Sequence, residues 1–277
     1  MEKTASGSVM RNRRLESFFN ASPIPNMGVS WKIGSKKGVG EKPKTDLYVE
    51  DDGWLSILIS WIRIVTCFVS MMVTTFVWAL IMLVLLPWPY ERLRQGNIYG
   101  HVTGRMLMWI LGNPIKIEGA EYANTRAIYI CNHASPIDIF LMMWLTPTGT
   151  VGIAKKEIVW YPLFGQLYVL ANHLRIDRSN PTAAIQSMKE GFVHLAMQSH
   201  LPIVPIVLTG THLAWRKGSL HVRPAPLTVK YLPPIKTDDW TADKIDDHVK
   251  MVHDIYIKHL PQPQRPLVVE EETPTKG

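Results

Sequence analysis

The sequence predicts an α/β fold: a mixed, largely parallel sheet flanked by helices, preceded by an N-terminal membrane-embedded helix or helical hairpin. Three observations carry this expectation. Residues 64–88, IVTCFVSMMVTTFVWALIMLVLLPW, run for 25 positions without a charge, against about 20 needed to cross a bilayer core. Downstream, short apolar runs alternate with helical stretches, as strands and helices do when a sheet is covered on both sides. Punctuation falls between the runs: Gly112-Asn113-Pro114 stops a helix, and Ser135-Pro136-Ile137-Asp138 starts one.

Taken in order, residues 1–52 are rich in Gly, Ser, Pro and Lys, show no sustained apolar period, and read as a disordered tail. The first 40 hold only two acids and include Arg11, Arg13 and Arg14, so an organellar transit peptide is the minor alternative. Residues 53–90 form the membrane-embedded segment. Arg63 separates the apolar stretch 54–62 from the run at 64–88, which leaves one tilted span or a hairpin with Arg63 snorkelling to the headgroups. Residues 91–260 form the α/β domain. Residues 97–111 read as an amphipathic helix, 115–118 and 127–131 as strands, and 137–145 as a helix. Further strands are expected at 151–154, 173–176, 203–208 and 227–231, then a helix at 243–259 and a loose tail over 261–277. No internal repeat is present.

Composition narrows the partners. The 277 residues carry a net charge of +7, with a pI near 9.3, which suits an anionic membrane surface or phosphorylated substrates. A nucleic-acid reader is excluded: there is no zinc-ligand pattern, no basic helix with heptads and no aromatic RNA-binding signature. The two cysteines, Cys67 and Cys131, both lie inside apolar runs and give no disulfide framework, which fits a reducing compartment.

The stretch AIYICNHASPIDIFL, residues 127–141, places a base and an acid five residues apart at the edge of a buried segment. One reading is purely structural: Ser135 as N-cap, Pro136 at the first helical position and Asp138 completing a capping box. The other is chemical. His133 leaves a strand end where α/β sheets bind ligands, and Asp138 fixes its tautomer, freeing the other ring nitrogen as a general base. A metal site is the third reading, but no HExxH or cysteine cluster accompanies this histidine, so no metal is expected.

Asn132-His133-Ala-Ser-Pro-Ile-Asp138 resembles the NHxxxxD motif of the glycerolipid acyltransferases. With LPWPYERLR, GTVGIAKKEIVWYPLFGQLY, RIDRSNP, LPIVPIVLTGTHLAWRKG and KYLPPIKTDDW, the chain resembles plant 1-acyl-glycerol-3-phosphate acyltransferases of the endoplasmic-reticulum, seed-type class over residues 54–260. The resemblance implies acyl transfer from acyl-CoA, a co-substrate with no further cofactor, to the 2-hydroxyl of lysophosphatidic acid, giving phosphatidic acid; the alternatives are an inactive truncated isoform that acts as a membrane lipid-binding or partner protein, and an acyltransferase for another lysophospholipid. It implies membrane lipids as surroundings and the endoplasmic-reticulum membrane as location, with a plastid membrane as the minor alternative. His133 and Asp138 become the catalytic pair. Asn132, Ser135, Lys156, Gly165, Arg178, Pro202 and Pro205 become the substrate site, Arg178 on the glycerol phosphate and the two prolines in the pocket wall. An exposed arginine paired with Asp177, and a solvated Lys155-Lys156 pair, are the plainer readings of those cations.

One departure is serious. The family's third motif, a strand ending in Glu-Gly-Thr-Arg, is expected between the second and fourth. Here Ser187-Met-Lys-Glu190 runs straight into Gly191-Phe-Val-His, so an internal deletion is expected near residues 190/191. About thirty residues, with a core strand and a phosphate-binding arginine, are absent by this reading.

Overall fold

The computed structural model describes residues 53–176 and 191–265. The expected disordered tail, Arg178, the residues leading up to the 190/191 join and residues 266–277 fall outside the described residues, while the start of the expected loose tail forms a 3-10 turn, Gln262–Gln264.

Helix α1, Trp54–Val84, is one continuous helix of 31 residues, so the apolar segment contains no hairpin. At about 1.5 Å per residue it exceeds the thickness of a bilayer core, yet it does not stand free. Helix α2, Pro89–Leu111, packs along it. Near the start of α1, the Ser60 hydroxyl accepts from the Val222 amide at 2.7 Å. Midway, the hydroxyls of Thr75 and Tyr99 lie 2.7 Å apart. Near its end, Met82 packs with Tyr99, Leu167 and Ala171. The opposite face, including Trp61, Phe68, Val69, Phe76 and Leu80, is about half exposed. An apolar stripe of that length fits association with a membrane. Arg63 lies at the C-terminus of α2: a Cβ on Gly112 would sit 3.7 Å from its guanidinium. There it opposes the negative end of the helix dipole.

Helix α2 begins eight residues before the expected amphipathic stretch because Pro89 supplies a preorganised first turn. It ends as expected, with Gly112 in the left-handed region at φ 73°. Strand β1, Ile115–Glu118, and strand β2, Ile128–Cys131, follow, then helix α3, Ile137–Leu145. Next come β3, Ile153–Lys155, helix α4, Phe164–Leu170, and β4, Leu174–Ile176. After helix α5 (191–199) come β5, Ile203–Thr209, the short α6, Thr211–Ala214, β6, Leu227–Tyr231, and α7, Ile245–His259. A 3-10 turn at Ala242–Lys244 replaces the first turn expected for that last helix.

Among the described residues the strands form two sheets: four strands in the order β1-β6-β5-β2, and a separate pair β3-β4. Three of the four pairings are parallel; β5 with β6 is antiparallel. Among the described residues β2 therefore ends its sheet. β5 is apolar up to its last residue, Thr209, and is buried on both faces over that run. Val204, Ile206 and Leu208 face Leu107, Leu111, Ile137 and Leu141 on one side. Ile203, with Ile128 and Ile130, faces Val193, Ala196 and Val252 on the other. Helices α2 and α3 touch through Gly100 and Gly104, where backbone meets backbone.

A Cβ at Gly104 would come within 2.5 Å of the Phe140 carbonyl and 3.0 Å of the Trp144 amide, neither of which can rotate away. Alanine gains about 1 kcal/mol over glycine in helix propensity, but overpacking costs about 1–3 kcal/mol. Gly104→Ala is therefore expected to be net destabilising, read as a lower urea midpoint in detergent. Separately, the protein should stay in the pellet through an alkaline carbonate wash, and replacing Phe68, Val69 and Phe76 together by Ser should move part of it to the supernatant.

Candidate active site

Strand β2 ends at Cys131, and the next seven residues assemble the site. Asn132 takes no further part in the backbone ladder; its side chain replaces it. Its Nδ2 donates to the Leu208 carbonyl and its Oδ1 accepts from the Leu208 amide, both at 2.8 Å. That double clasp fixes the exit of β2 against β5 and sets the direction in which His133 leaves.

His133 Nδ1 lies 3.0 Å from Asp138 Oδ2. A carboxylate only accepts, so Nδ1 carries the proton and Nε2 is the free base. The histidine side chain is 58% exposed while Asp138 is 1% exposed: the base faces outward and its partner is buried. The same Oδ2 accepts from the amides of Ala134 at 2.7 Å and Ser135 at 2.8 Å. Oδ1 is buried with no partner among the described residues. The capping reading and the chemical reading of Asp138 thus describe one oxygen atom. It closes the capping box on Ser135 and holds the imidazole together.

Ser135 is buried. Its hydroxyl donates to the Trp215 carbonyl at 2.7 Å and accepts from the Ile137 amide at 3.2 Å. With its proton committed to the Trp215 carbonyl, Ser135, two residues beyond the histidine, is a cap and a tether rather than a nucleophile. Cys131 is also unsuited to that role. Part of the residue reaches the surface, yet burial around the thiol, and then the charge of Asp138, push its ionisation up to about 12. It stays protonated at neutral pH.

The remaining expected residues lie elsewhere. Lys156 is exposed and opens a 3-10 turn, Lys156–Trp160, just after β3. Gly165 is buried in α4; a Cβ there would collide with the carbonyls of Ile158 and Val159, so its hydrogen lets α4 press on that turn. Pro202 stands at the far end of the β2–β5 pair from His133, whereas Pro205 lies opposite Ile130, one residue short of the strand end that leads to the histidine. The Pro202 carbonyl accepts from the Ile128 amide, and the Pro205 carbonyl from the Leu232 amide, each at 2.9 Å. Near β3 and β4, His173 Nδ1 accepts from the Gly152 amide at 3.1 Å, and burial pushes its ionisation down to about 4. It is a neutral spacer between strands. Trp215 and Leu208 are the participants that sequence reasoning missed. Both act through backbone groups, which carry no side-chain signature.

The geometry meets its counterpart in known proteins. A family model described as Acyltransferase matches residues 114–190. A 1-acyl-sn-glycerol-3-phosphate acyltransferase from Cocos nucifera is 58% identical over 97% of this chain and 96% of its own length. The chain belongs to the 1-acyl-sn-glycerol-3-phosphate acyltransferase family. The family protein of Limnanthes douglasii is 57% identical over 82% of this chain and 92% of its own. A solved structure, the 1-acyl-sn-glycerophosphate acyltransferase of Thermotoga maritima, has the same fold with a TM-score of 0.57 at 15% identity; it covers 74% of this chain and 95% of that one. The Cocos alignment runs over 300 positions while drawing on 97% of a 277-residue chain, so about thirty positions of that acyltransferase face no residue here.

Asp138→Ala removes the acceptor for two amides and the imidazole. An unsatisfied buried donor costs about 1–3 kcal/mol, so thermal unfolding should shift down by an amount of that size. Asp138→Asn, which keeps an acceptor oxygen, should lose distinctly less. Equal losses would mean that the charge, not the cap, holds the turn.

Proposed function

We propose that this acyltransferase moves a fatty acyl group from acyl-CoA to the sn-2 hydroxyl of 1-acyl-glycerol-3-phosphate, giving phosphatidic acid. The observation that carries the reading is the His133–Asp138 contact, with Nε2 free on an exposed ring. His133 Nε2 takes the proton of the 2-hydroxyl as that oxygen attacks the thioester carbonyl. Asp138 stabilises the imidazolium so formed. As the tetrahedral adduct collapses, the C–S bond breaks and the proton passes to the departing CoA sulfur. A positioned base of this kind contributes about 100- to 10,000-fold. In this reading Asn132 and Ser135 serve substrate indirectly, by fixing the loop that carries the base. Lys156 and Arg178 supply cations for phosphate, and Gly165, Pro202 and Pro205 shape the walls. The enzyme works at the endoplasmic-reticulum membrane, the location implied by its likeness to the seed-type plant class.

The same reading makes the chain short of one unit. Support comes from the thirty unmatched positions, from the family model ending at residue 190, and from the sheet that divides into four strands and two. A strand restored at the 190/191 join would have β2, which ends its sheet among the described residues, to pair with, and would bring back the arginine that shares the substrate phosphate with Arg178.

In membranes lacking the endogenous enzyme, supplied with lysophosphatidic acid and oleoyl-CoA, this chain is expected to give little or no product. Inserting the corresponding thirty residues of a longer relative between Glu190 and Gly191 should restore turnover, and His133→Ala in that restored form should abolish it. Turnover that survives His133→Ala sinks the base assignment; equal rates with and without the insertion sink the claim about the missing unit.

A further inference from the structure

The buried residues of α1 are Ser60, Cys67, Thr75 and Met82. Successive members stand about two helical turns apart, so they share one stripe, the side on which the helix meets the domain. Three of them fasten to neighbouring helices. Cys67 Sγ lies 4.0 Å from the Leu107 carbonyl of α2, Thr75 meets Tyr99 of α2, and Met82 packs with Tyr99 and with Leu167 of α4. Ser60 reaches elsewhere. Its hydroxyl accepts from the Val222 amide at 2.7 Å and donates to the Leu220 carbonyl at 3.4 Å. Farther along α1, Thr74 and Thr75 return their protons to the helix itself, donating to the carbonyls of Ser70 and Met71. The Ser60 hydroxyl serves a segment 162 positions away.

That segment, residues 214–223, is a hairpin. The Arg223 amide donates to the Ala214 carbonyl at 2.9 Å, and Trp215 and Val222 form the next antiparallel pair. With the rung at 214 and 223, the pair at 215 and 222 is a non-hydrogen-bonded one. Its Cα atoms stand about 4.5 Å apart and its amides and carbonyls point outward from the hairpin. Two of those outward groups carry the connection. The Val222 amide donates to Ser60 on one side, and the Trp215 carbonyl accepts from Ser135 on the other, also at 2.7 Å. The Trp215 indole donates to the Ser219 carbonyl at 2.8 Å and stiffens its leg. The hairpin is a splint one residue pair wide, set between a membrane helix and the loop that carries the base.

We propose that Ser60 is a positioning residue for His133: through the Val222–Trp215 pair it sets where Ser135 stands, and with it the turn that holds the imidazole. A buried hydroxyl on an apolar helix is costly unless it is bonded, and the amide it serves belongs to a residue that is itself buried. Removing the hydroxyl leaves that amide without its acceptor, so the hairpin must shift or admit water to satisfy it. The shift is passed across one residue pair to Ser135. A misplacement of about 1 Å in a catalytic constellation costs about 100-fold in rate. The helix therefore does more than anchor. An equally apolar helix lacking the hydroxyl would hold the protein to lipid and leave the base loosely seated. The role rests on His133 acting as the base of the proposed reaction, whereas the tie itself is readable without turnover.

The full chain in phosphatidylcholine nanodiscs is followed by amide hydrogen exchange with mass spectrometry. Ser60→Ala should speed exchange of the Ala134 and Ser135 amides, which Asp138 holds, by about tenfold. Thr75→Val removes a comparable bond farther along α1 and should leave those two amides unchanged. In a Ser135→Ala background, where the splint is already cut, Ser60→Ala should add almost nothing, as expected of two residues acting in series. In the form restored with the thirty residues, Ser60→Ala should lower kcat by about 10- to 100-fold, leave KM for oleoyl-CoA unchanged and still sediment with membranes. Unchanged exchange at Ala134 and Ser135 overturns the proposal, as does equal acceleration by Thr75→Val. Faster exchange with an unaltered kcat makes Ser60 a structural tie only, and overturns it too. If the restored, unsubstituted enzyme gives no product, the assigned reaction falls and the positioning role with it.

Discussion

The Oδ2 atom of Asp138 accepts from an imidazole and two consecutive backbone amides, and the catalytic edge is organised around that convergence. The chain after β2 has to turn sharply into α3, exposing amides that need an acceptor. One buried carboxylate satisfies them. Its negative charge, held at the positive end of α3, is then available to orient His133. Folding and chemistry share an atom here. Any sequence that keeps the turn keeps the base in place, and a change that frees the base also loosens the turn.

From that atom a chain of contacts runs outward. Ser135 binds the Trp215 carbonyl, Trp215 pairs with Val222, and Val222 binds Ser60 of the apolar helix. The membrane-facing helix is thus joined to the catalytic turn through a short hairpin rather than through a flexible linker. The clasp of Asn132 on Leu208 anchors the other side. The histidine's position is fixed from both directions, which is what a preorganised base needs if little rearrangement is to precede proton transfer.

Much of this was legible in the sequence. Strands β1 and β6 and helix α3 fall at the residues where periodicity placed them, because alternation and cap residues are local signals. β5 declared itself as an unbroken apolar run. The ambiguity at Asp138 was also legible, and it was real: a capping acid and an orienting acid have the same spacing. What was not legible was long-range. Arg63 between two apolar stretches suggested a break, whereas the structure uses it to meet the end of α2. The split of the strands into two sheets, the role of Asn132 as a surrogate rung and the tether through Trp215 all depend on backbone groups brought together by topology. A backbone carbonyl looks the same at every position in a sequence.

The way α1 lies on the domain, fastened near its start, middle and end with its apolar side turned outward, has a kinetic consequence. An enzyme held to a lipid surface along a whole helix meets its acceptor by lateral diffusion in two dimensions. The concentration that governs saturation is then the mole fraction of acceptor among the surrounding lipids, not its amount per volume of water. Adding inert phospholipid at constant bulk substrate dilutes the acceptor as the enzyme experiences it, and the rate falls although nothing has been removed from the tube.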